Sequence, residues 1–324
     1  MSLSGNSTLF RYLGNRGHRQ GLWLFPAILA IAIACWLIFT TSQFATTANA
    51  SNLIAQAMPL LITAVGQTFV ILIGGLDLSV GSVISFTTAV LALGAPVWIS
   101  IPGVLMLAAL IGLINGLCVT RFNVHPIIAT LSMQYIVLGM TRVLRPVSGG
   151  VIPDFVRWLV EGSIIGIPMP IIWGFVTLLV AWKLLYSTRF GIHLFAIGGG
   201  VAAGMNDAAR NFGIPARRNI VLAYVASSAF ACAAGIFLAG RIVSGDPNVG
   251  LLFELDAITA VAIGGTQLSG GVGSLHGTVV GVTVLAMLSN GMNLLNVTPF
   301  IQTAVKGCLL MFVVSLLSRK RIGL

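Results

Sequence analysis

The sequence predicts an all-α, polytopic membrane protein of about ten transmembrane helices with two glycine-rich helix breaks. Three observations carry that prediction. Only 7% of the 324 residues are charged and 57% are hydrophobic, with a mean hydropathy of +1.02, whereas a soluble domain is about a quarter charged. Apolar runs of span length recur from Leu22 to Leu317, parted by short segments that hold most of the basic residues. Two of these runs break on polar patches that share the frame GGxxLSxG. One is Gly74-Gly75-Leu76-Asp77-Leu78-Ser79-Val80-Gly81, and the other is Gly264-Gly265-Thr266-Gln267-Leu268-Ser269-Gly270-Gly271. A packed soluble core has no use for that pattern, but a membrane helix interrupted where its backbone lines a passage does. With no room for a sizeable soluble domain, residues 1–324 read as a single membrane domain, with 1–20 as a cytoplasmic N-terminal segment.

The first span is read from Leu22 to Phe39, after Arg11, Arg16 and Arg19. Ala48-Asn49-Ala50 resembles a signal-peptidase site, but the apolar run exceeds the roughly 7 to 15 residues of a signal core and ends well before the motif. The second span, Ile54 to Ile73, carries Pro59 and Gly66 and ends in the first break. A short third follows from Val80 to Leu93, then a fourth from Gly103 to Val119 after Pro96 and Pro102. Arg121 to Pro126 marks a turn before the fifth, Ile127 to Leu144. Arg145 to Gly166, with Asp154, Arg157 and Glu161, reads as an outer loop. The sixth span ends at Lys183, and residues 187–218 form the longest polar loop, with a short helix expected around Asn206 to Phe212. The seventh, Ile220 to Ala239, is followed by an outer loop holding Arg241, Asp246, Asn248 and Glu254. The second break supplies spans eight and nine, and the tenth runs from Phe300 to Leu317. An even count places both termini in the cytoplasm.

Charge placement agrees with this topology. Arg11, Arg16, Arg19, Arg121, Lys183, Arg189, Arg210, Arg217, Arg218, Arg319, Lys320 and Arg321 fall inside, while Arg142, Arg145, Arg157 and Arg241 fall outside, as the positive-inside rule requires. The net charge of +10 is therefore a topology signal. The basic residues form no stripe with interleaved aromatics, which excludes a nucleic-acid partner. Cys35, Cys118, Cys232 and Cys308 sit singly in apolar runs, and His18, His125, His193 and His276 have no ligand spacing, so no metal site is expected. The chain has no Gly-Lys dipeptide and hence no P-loop, and it lacks HExxH and GxSxG. It has no catalytic residues and binds no cofactor of its own. Any ATP-driven step needs another chain.

Asp77, Asp256 and Lys306 are the ionisable groups in or beside the membrane. An unpaired charge there costs at least about 2.5 to 3.5 kcal/mol, so each must have a partner or water. Asp77, two residues before Ser79 and four before Gly81, fits a cap on the next half-helix better than a proton carrier. Asp77, Ser79, Thr266, Gln267, Ser269, Asn290 and Asn293 are the candidate pathway residues, because hydroxyl and amide side chains at exposed backbone suit a hydroxyl-rich solute. Small residues in membrane helices also serve tight packing. Gly74, Gly75, Gly81, Gly264, Gly265, Gly270 and Gly271 are therefore read as structural breaks first, and the Asn290 to Asn293 patch and the face from Gln56 to Gln67 admit both readings.

The chain resembles the permease subunits of ribose-type ABC sugar importers, the ribose, xylose, arabinose and galactoside class related to branched-chain amino acid permeases. The matching segments are Gly74 to Ser82, Pro126 to Leu131, Arg189-Phe190-Gly191 with Ala196-Ile197-Gly198-Gly199, Asp256 to Gly277, Asn290 to Leu294, and Gln302 with Val305-Lys306-Gly307. In joint order they span most of the chain from Gly74 onward. The resemblance implies a type II ABC importer-like permease of a bacterial inner membrane. It works as a homodimer, or beside a paralogous permease, with a periplasmic sugar-binding protein and a cytoplasmic ABC ATPase of two cassettes that holds ATP and Mg. It also implies that 187–218 is the coupling loop that docks on the ATPase through Gly198, Gly199, Asn206, Asp207, Ala208, Ala209, Arg210 and Gly213. Here the family pattern AIGGNxxAARxxGI departs at Gly200, and the Ala208-Ala209-Arg210 triplet arrives a few residues late. The implied function is import of a monosaccharide, a pentose or related polyol. Rival solutes in the same class are a nucleoside or an autoinducer-like furanose, and the rival mechanism is an ion-coupled secondary transporter using Asp77 or Lys306.

Overall fold

A computed structural model of the chain describes residues 26–202 and 213–317. Among the described residues there are twelve helices and one hairpin. They are α1 (Pro26–Thr40), α2 (Thr47–Leu72), α3 (Val80–Leu91), α4 (Val97–Arg121), α5 (Pro126–Leu144), α6 (Asp154–Glu161), β1 (Ser163–Ile164), β2 (Ile167–Pro168), α7 (Met169–Tyr186), α8 (Arg189–Ala202), α9 (Ala216–Ile242), α10 (Phe253–Ile263), α11 (Leu275–Leu294) and α12 (Pro299–Leu317). By length and composition six of these can cross a membrane: α2, α4, α5, α7, α9 and α11. Beside these six, shorter apolar helices, α1, α3 and α12, are present among the described residues. α3, with 12 residues, and α10, with 11, rise only about 18 and 16 Å at 1.5 Å per residue, half of a hydrocarbon core.

The bundle is built around α9. Glycines on α9 and on its partners admit three neighbours at backbone distance. A Cβ on Gly112 of α4 would stand 2.7 Å from Val225 Cα, and one on Gly116 the same distance from Val221 Cα. Gly112-x-x-x-Gly116 is thus a close-packing stripe of the kind that joins helices where lipid supplies no hydrophobic drive. Gly66 of α2 lies on Ser227 and Phe230 of α9, and Gly235 of α9 lies on Ile84 and Thr87 of α3. Trp173 of α7 meets Phe237 of α9 edge to face, with ring centroids 5.8 Å apart. The lipid-suited face is carried by α4, α5, α7 and α12, where Met106, Tyr135, Phe175, Trp182, Phe300 and Met311 are exposed.

Antiparallel connections gather the C-termini of α2, α4 and α7 and the N-termini of α5, α9 and α11 at one end of the bundle, with α8 among them. Contacts there include Thr130 Oγ1 donating to Leu76 O at 3.2 Å, Asn219 Nδ2 with His193 Nδ1 at 3.1 Å, and Leu275 N donating to Tyr186 Oη at 3.1 Å.

Three segments differ from the sequence expectation. The expected outer loop from Arg145 to Gly166 contains α6, whose Val156 and Val160 are buried, Val156 against Gly240 of α9, while Arg157 and Glu161 pair at 2.7 Å in the open. The segment after α9 is not a surface loop. It dips alongside α3, with Asp246 N donating to Thr88 Oγ1 at 3.1 Å and Gly250 N to Ser85 Oγ at 2.9 Å. That path starts α10 deep in the bundle and buries Glu254. The expected loop at 187–218 is also partly helix, since α8 occupies Arg189–Ala202.

Candidate functional site

The two breaks meet each other, and α8 meets both. At the end of α2, Gly74 turns with φ +78°, a left-handed conformation that glycine adopts without strain. The second break turns at Gly265, Gly270 and Gly271, with φ between +77° and +87°. Gly271 N donates to Leu72 O at 2.9 Å, so the second break takes an acceptor that the end of α2 leaves free. A Cβ on Gly270 would stand 2.7 Å from Gly74 N, and one on Gly271 would stand 2.6 Å from Gly199 Cα. One on Gly198 would collide with Leu72 O and Gly271 N. Three glycine-bearing backbones therefore touch with no side chain between them. Gly75 and Gly264, both buried, and Gly81 inside α3 keep ordinary φ and serve close approach instead. Tyr224 Oη faces Gly75, the backbone of Gly277 faces Gly264, and Glu254 and Gly250 face Gly81.

Asp77 is fully buried where α3 begins. Its Oδ1 accepts from Ser79 N at 3.0 Å and from Ser79 Oγ at 2.6 Å. This is an Asx-type turn that feeds into α3, rather than a direct cap: Ser79 is the N-cap residue and its side chain makes no capping bond. Asn115 of α4 donates from Nδ2 to Ser79 Oγ at 2.9 Å. The Gln67 side-chain amide, oriented to satisfy both of its atoms, pairs with Asp77 N at 3.1 Å and Asp77 O at 3.2 Å. The break thus borrows a side chain from α2 to replace the ladder partners its backbone has lost.

A second carboxylate lies where α3 and α10 both start. Glu254 Oε1 accepts from Gln134 Nε2 of α5 at 3.0 Å, and Oε2 lies against Gly81 at the N-terminus of α3, the positive end of that helix. Asp256, one half-turn further along α10, pairs with Lys306 Nζ of α12 at 2.6 Å. Two of the three charges expected to need partners in the membrane thus find each other.

The matching family model is that of the branched-chain amino acid transport system / permease component, over residues 49–314. This chain belongs to that family. The permease is similar to the ribose import permease protein RbsC of Escherichia coli (strain K12), 35% identical over 311 residues that cover 92% of this chain and 95% of the relative. It is also similar to the D-allose transport system permease protein AlsC of the same strain, 32% identical over 296 residues, 89% of each chain. The galactose/methyl galactoside import permease protein MglC of that strain is 31% identical over 317 residues, 90% of this chain and 93% of the relative. No solved structure matches. The permease is a multi-pass membrane transport subunit, not an enzyme.

The expected pathway residues do not form one site in the permease. Asp77 and Ser79 are together, buried beside Asn115. Thr266 is buried over Gly273 within the second break, Gln267 is half-buried and Ser269 exposed. Asn290 and Asn293 lie at the opposite end. Asn290 and Asn49 exchange amide bonds of 3.1 and 2.9 Å that tie α11 to α2, and Asn293 Oδ1 accepts from Gln302 at 2.8 Å. The two asparagines therefore join helices, and Asn293 also lines an open groove of about 440 Å³ with Thr40, Thr41, Ser42, Gln43 and Asn296. Gly198 and Gly199 stand at the break junction and Gly213 turns with φ +71°, while Asn206, Asp207, Ala208, Ala209 and Arg210 lie outside the described residues.

Sequence reading named Gln67 but missed Asn115, Gln134, Tyr224 and Glu254 as members of the polar interior. Asn115 could have been flagged by its place between Gly112 and Gly116, which sets it on a packed face. Glu254 could have been flagged as an acid in the same apolar run as Asp256.

Proposed function

We propose that this chain is the inner-membrane permease subunit of an ABC importer that carries a monosaccharide, a pentose or related sugar. The observation that carries this reading is the alignment of about nine-tenths of the chain with relatives named for ribose and D-allose transport. The partners in this reading are a second copy of the chain or a paralogous permease, a periplasmic sugar-binding protein, and a cytoplasmic ATPase with two cassettes that binds ATP and Mg. Both termini face the cytoplasm, and 187–218 is the coupling segment.

The junction of the breaks supports the mechanism. Gly198 of α8 lies on Leu72, at the end of α2, and on Gly271, so a displacement of α8 by the ATPase passes to both breaks backbone to backbone. α3 and α10, the two half-length helices, hang from those breaks. Their re-orientation would open the hydroxyl- and amide-lined interior alternately to the two faces, and specificity would rest mainly with the binding protein.

Reconstitution in proteoliposomes tests the reading, with a panel of labelled sugars and ATP on the ATPase side, with and without the co-expressed ATPase and binding protein. Uptake that needs all three components, and that selects a pentose, is the expected result. Selective uptake of a nucleoside or other furanose would change the solute and keep the machine. Uptake by this chain alone, abolished by an uncoupler, would replace the reading with ion-coupled transport.

A further inference from the structure

A cluster of buried oxygen atoms beside the first break has no role in the mechanism above. Asp77 Oδ2, Asn115 Oδ1, Tyr224 Oη, Ser227 Oγ and Ser228 Oγ all lack a hydrogen-bond partner, and they are five of the seven such oxygens among the described residues. Their residues are between 0 and 1% exposed. They come from three places in the fold that the packing brings together. Ser79 Oγ bridges Asp77 and Asn115 through bonds of 2.6 and 2.9 Å. Tyr224, Ser227 and Ser228 recur at helical spacing on one face of α9. Ser227 lies beside the Asp77 carboxyl. Tyr224 Oη lies over Gly75, 2.7 Å from where a Cβ would stand, and Ser228 Oγ lies over Gly112, 2.9 Å from one, a single turn from Asn115.

We propose that these five oxygens bind a sodium ion. A buried carboxylate that stays ionised needs a counter-charge, because an unpaired one is strongly disfavoured in a low-dielectric interior. Among the described residues both ion pairs, Arg157–Glu161 and Lys306–Asp256, engage other carboxylates. The donor set contains oxygen only: one carboxylate, one amide carbonyl and three hydroxyls, which suits a hard cation. One negative charge matches one positive charge, whereas a divalent ion would leave a net charge buried. The C-terminus of α2, the negative end of that helix, ends at the same break and adds to the attraction. Breaks in membrane helices are places where monovalent cations bind, held there by unwound backbone carbonyls and helix C-terminal ends. The ion would clamp the first break to α4 and α9, and so set how readily α3 re-orients.

The test is thermal unfolding of the purified full-length chain in lipid nanodiscs, at constant ionic strength, with NaCl exchanged against KCl or choline chloride. A saturable rise in the midpoint that follows Na⁺ is expected, of about 5 °C at a hundredfold excess over the dissociation constant. Ser228→Ala and Tyr224→Phe each delete one ligand oxygen at little cost in volume and should raise the Na⁺ concentration for half effect tenfold or more. Asp77→Asn should abolish the response. Thr266→Val, which removes an unpartnered hydroxyl outside the cluster, should leave it unchanged. A midpoint that tracks ionic strength whatever the cation, or that follows K⁺ in preference to Na⁺, overturns the assignment. So does a wild-type Na⁺ response in both folded hydroxyl-deletion variants. The readout is stability, so it stands or falls separately from which solute the permease carries.

Discussion

Gly198→Ala and Gly199→Ala should have opposite effects on stability, although they are neighbours in the same helix. A Cβ on Gly198 would occupy the space of Leu72 O and Gly271 N, the two atoms that form the 2.9 Å bond between the breaks, while a Cβ on Gly199 meets nothing within 4 Å. Overpacking of a rigid contact costs about 1 to 3 kcal/mol, and loss of the Leu72–Gly271 bond adds about 0.5 to 1.5 kcal/mol. Ala is favoured over Gly inside a helix by about 1 kcal/mol, which offsets part of that loss. Gly198→Ala should therefore destabilise by about 1 to 3 kcal/mol, and Gly199→Ala should stabilise by up to about 1 kcal/mol. Unfolding of the reconstituted chain, followed by tryptophan fluorescence in denaturant, measures both. Equal midpoints for the two variants would show that the glycine junction is not packed as described. If the junction also relays motion from α8, Gly198→Ala should lower ATP-driven uptake by more than its stability loss accounts for, while Gly199→Ala should not.

Two further predictions concern contacts between helices. Lys306→Met leaves Asp256 unpaired at a site where each side chain is only 21 to 25% exposed, and should cost about 2 to 3 kcal/mol. The double variant Lys306→Met/Asp256→Leu should recover most of that loss in a double-mutant cycle, because an apolar pair carries no desolvation penalty; an additive cycle would show that the pair does not interact. Asn49→Ala and Asn290→Ala each strand one amide of the reciprocal pair and should each cost about 1 to 3 kcal/mol, with the double variant well below their sum. Additivity between those two changes would place the amides with water instead.

Composition and periodicity were enough to determine a multi-pass all-α membrane protein, because 57% hydrophobic residues with 7% charge cannot be satisfied in water. The breaks at Gly74 and at Gly270-Gly271 were legible for a local reason: left-handed backbone conformations favour glycine, so the sequence marks them. The need of Asp256 and Lys306 for partners was legible from the cost of an unpaired charge, although their pairing was not. Contacts between distant segments were decided only by the tertiary structure. Nothing near Gly198 indicates that its missing Cβ makes room for Leu72 and Gly271, and nothing near Asn49 indicates Asn290. The part that Asn290 and Asn293 play in joining helices was not legible for the same reason, since an amide that joins two helices and one that faces a solute look identical in one dimension. Glu254 was assigned to a loop because the polar run from Ser244 to Asn248 resembles surface. Its burial follows from Thr88 and Ser85, which supply that run with hydrogen bonds inside the bundle. Local conformation is written in each residue's own chemistry, but which buried groups satisfy one another depends on helices brought together from opposite ends of the chain.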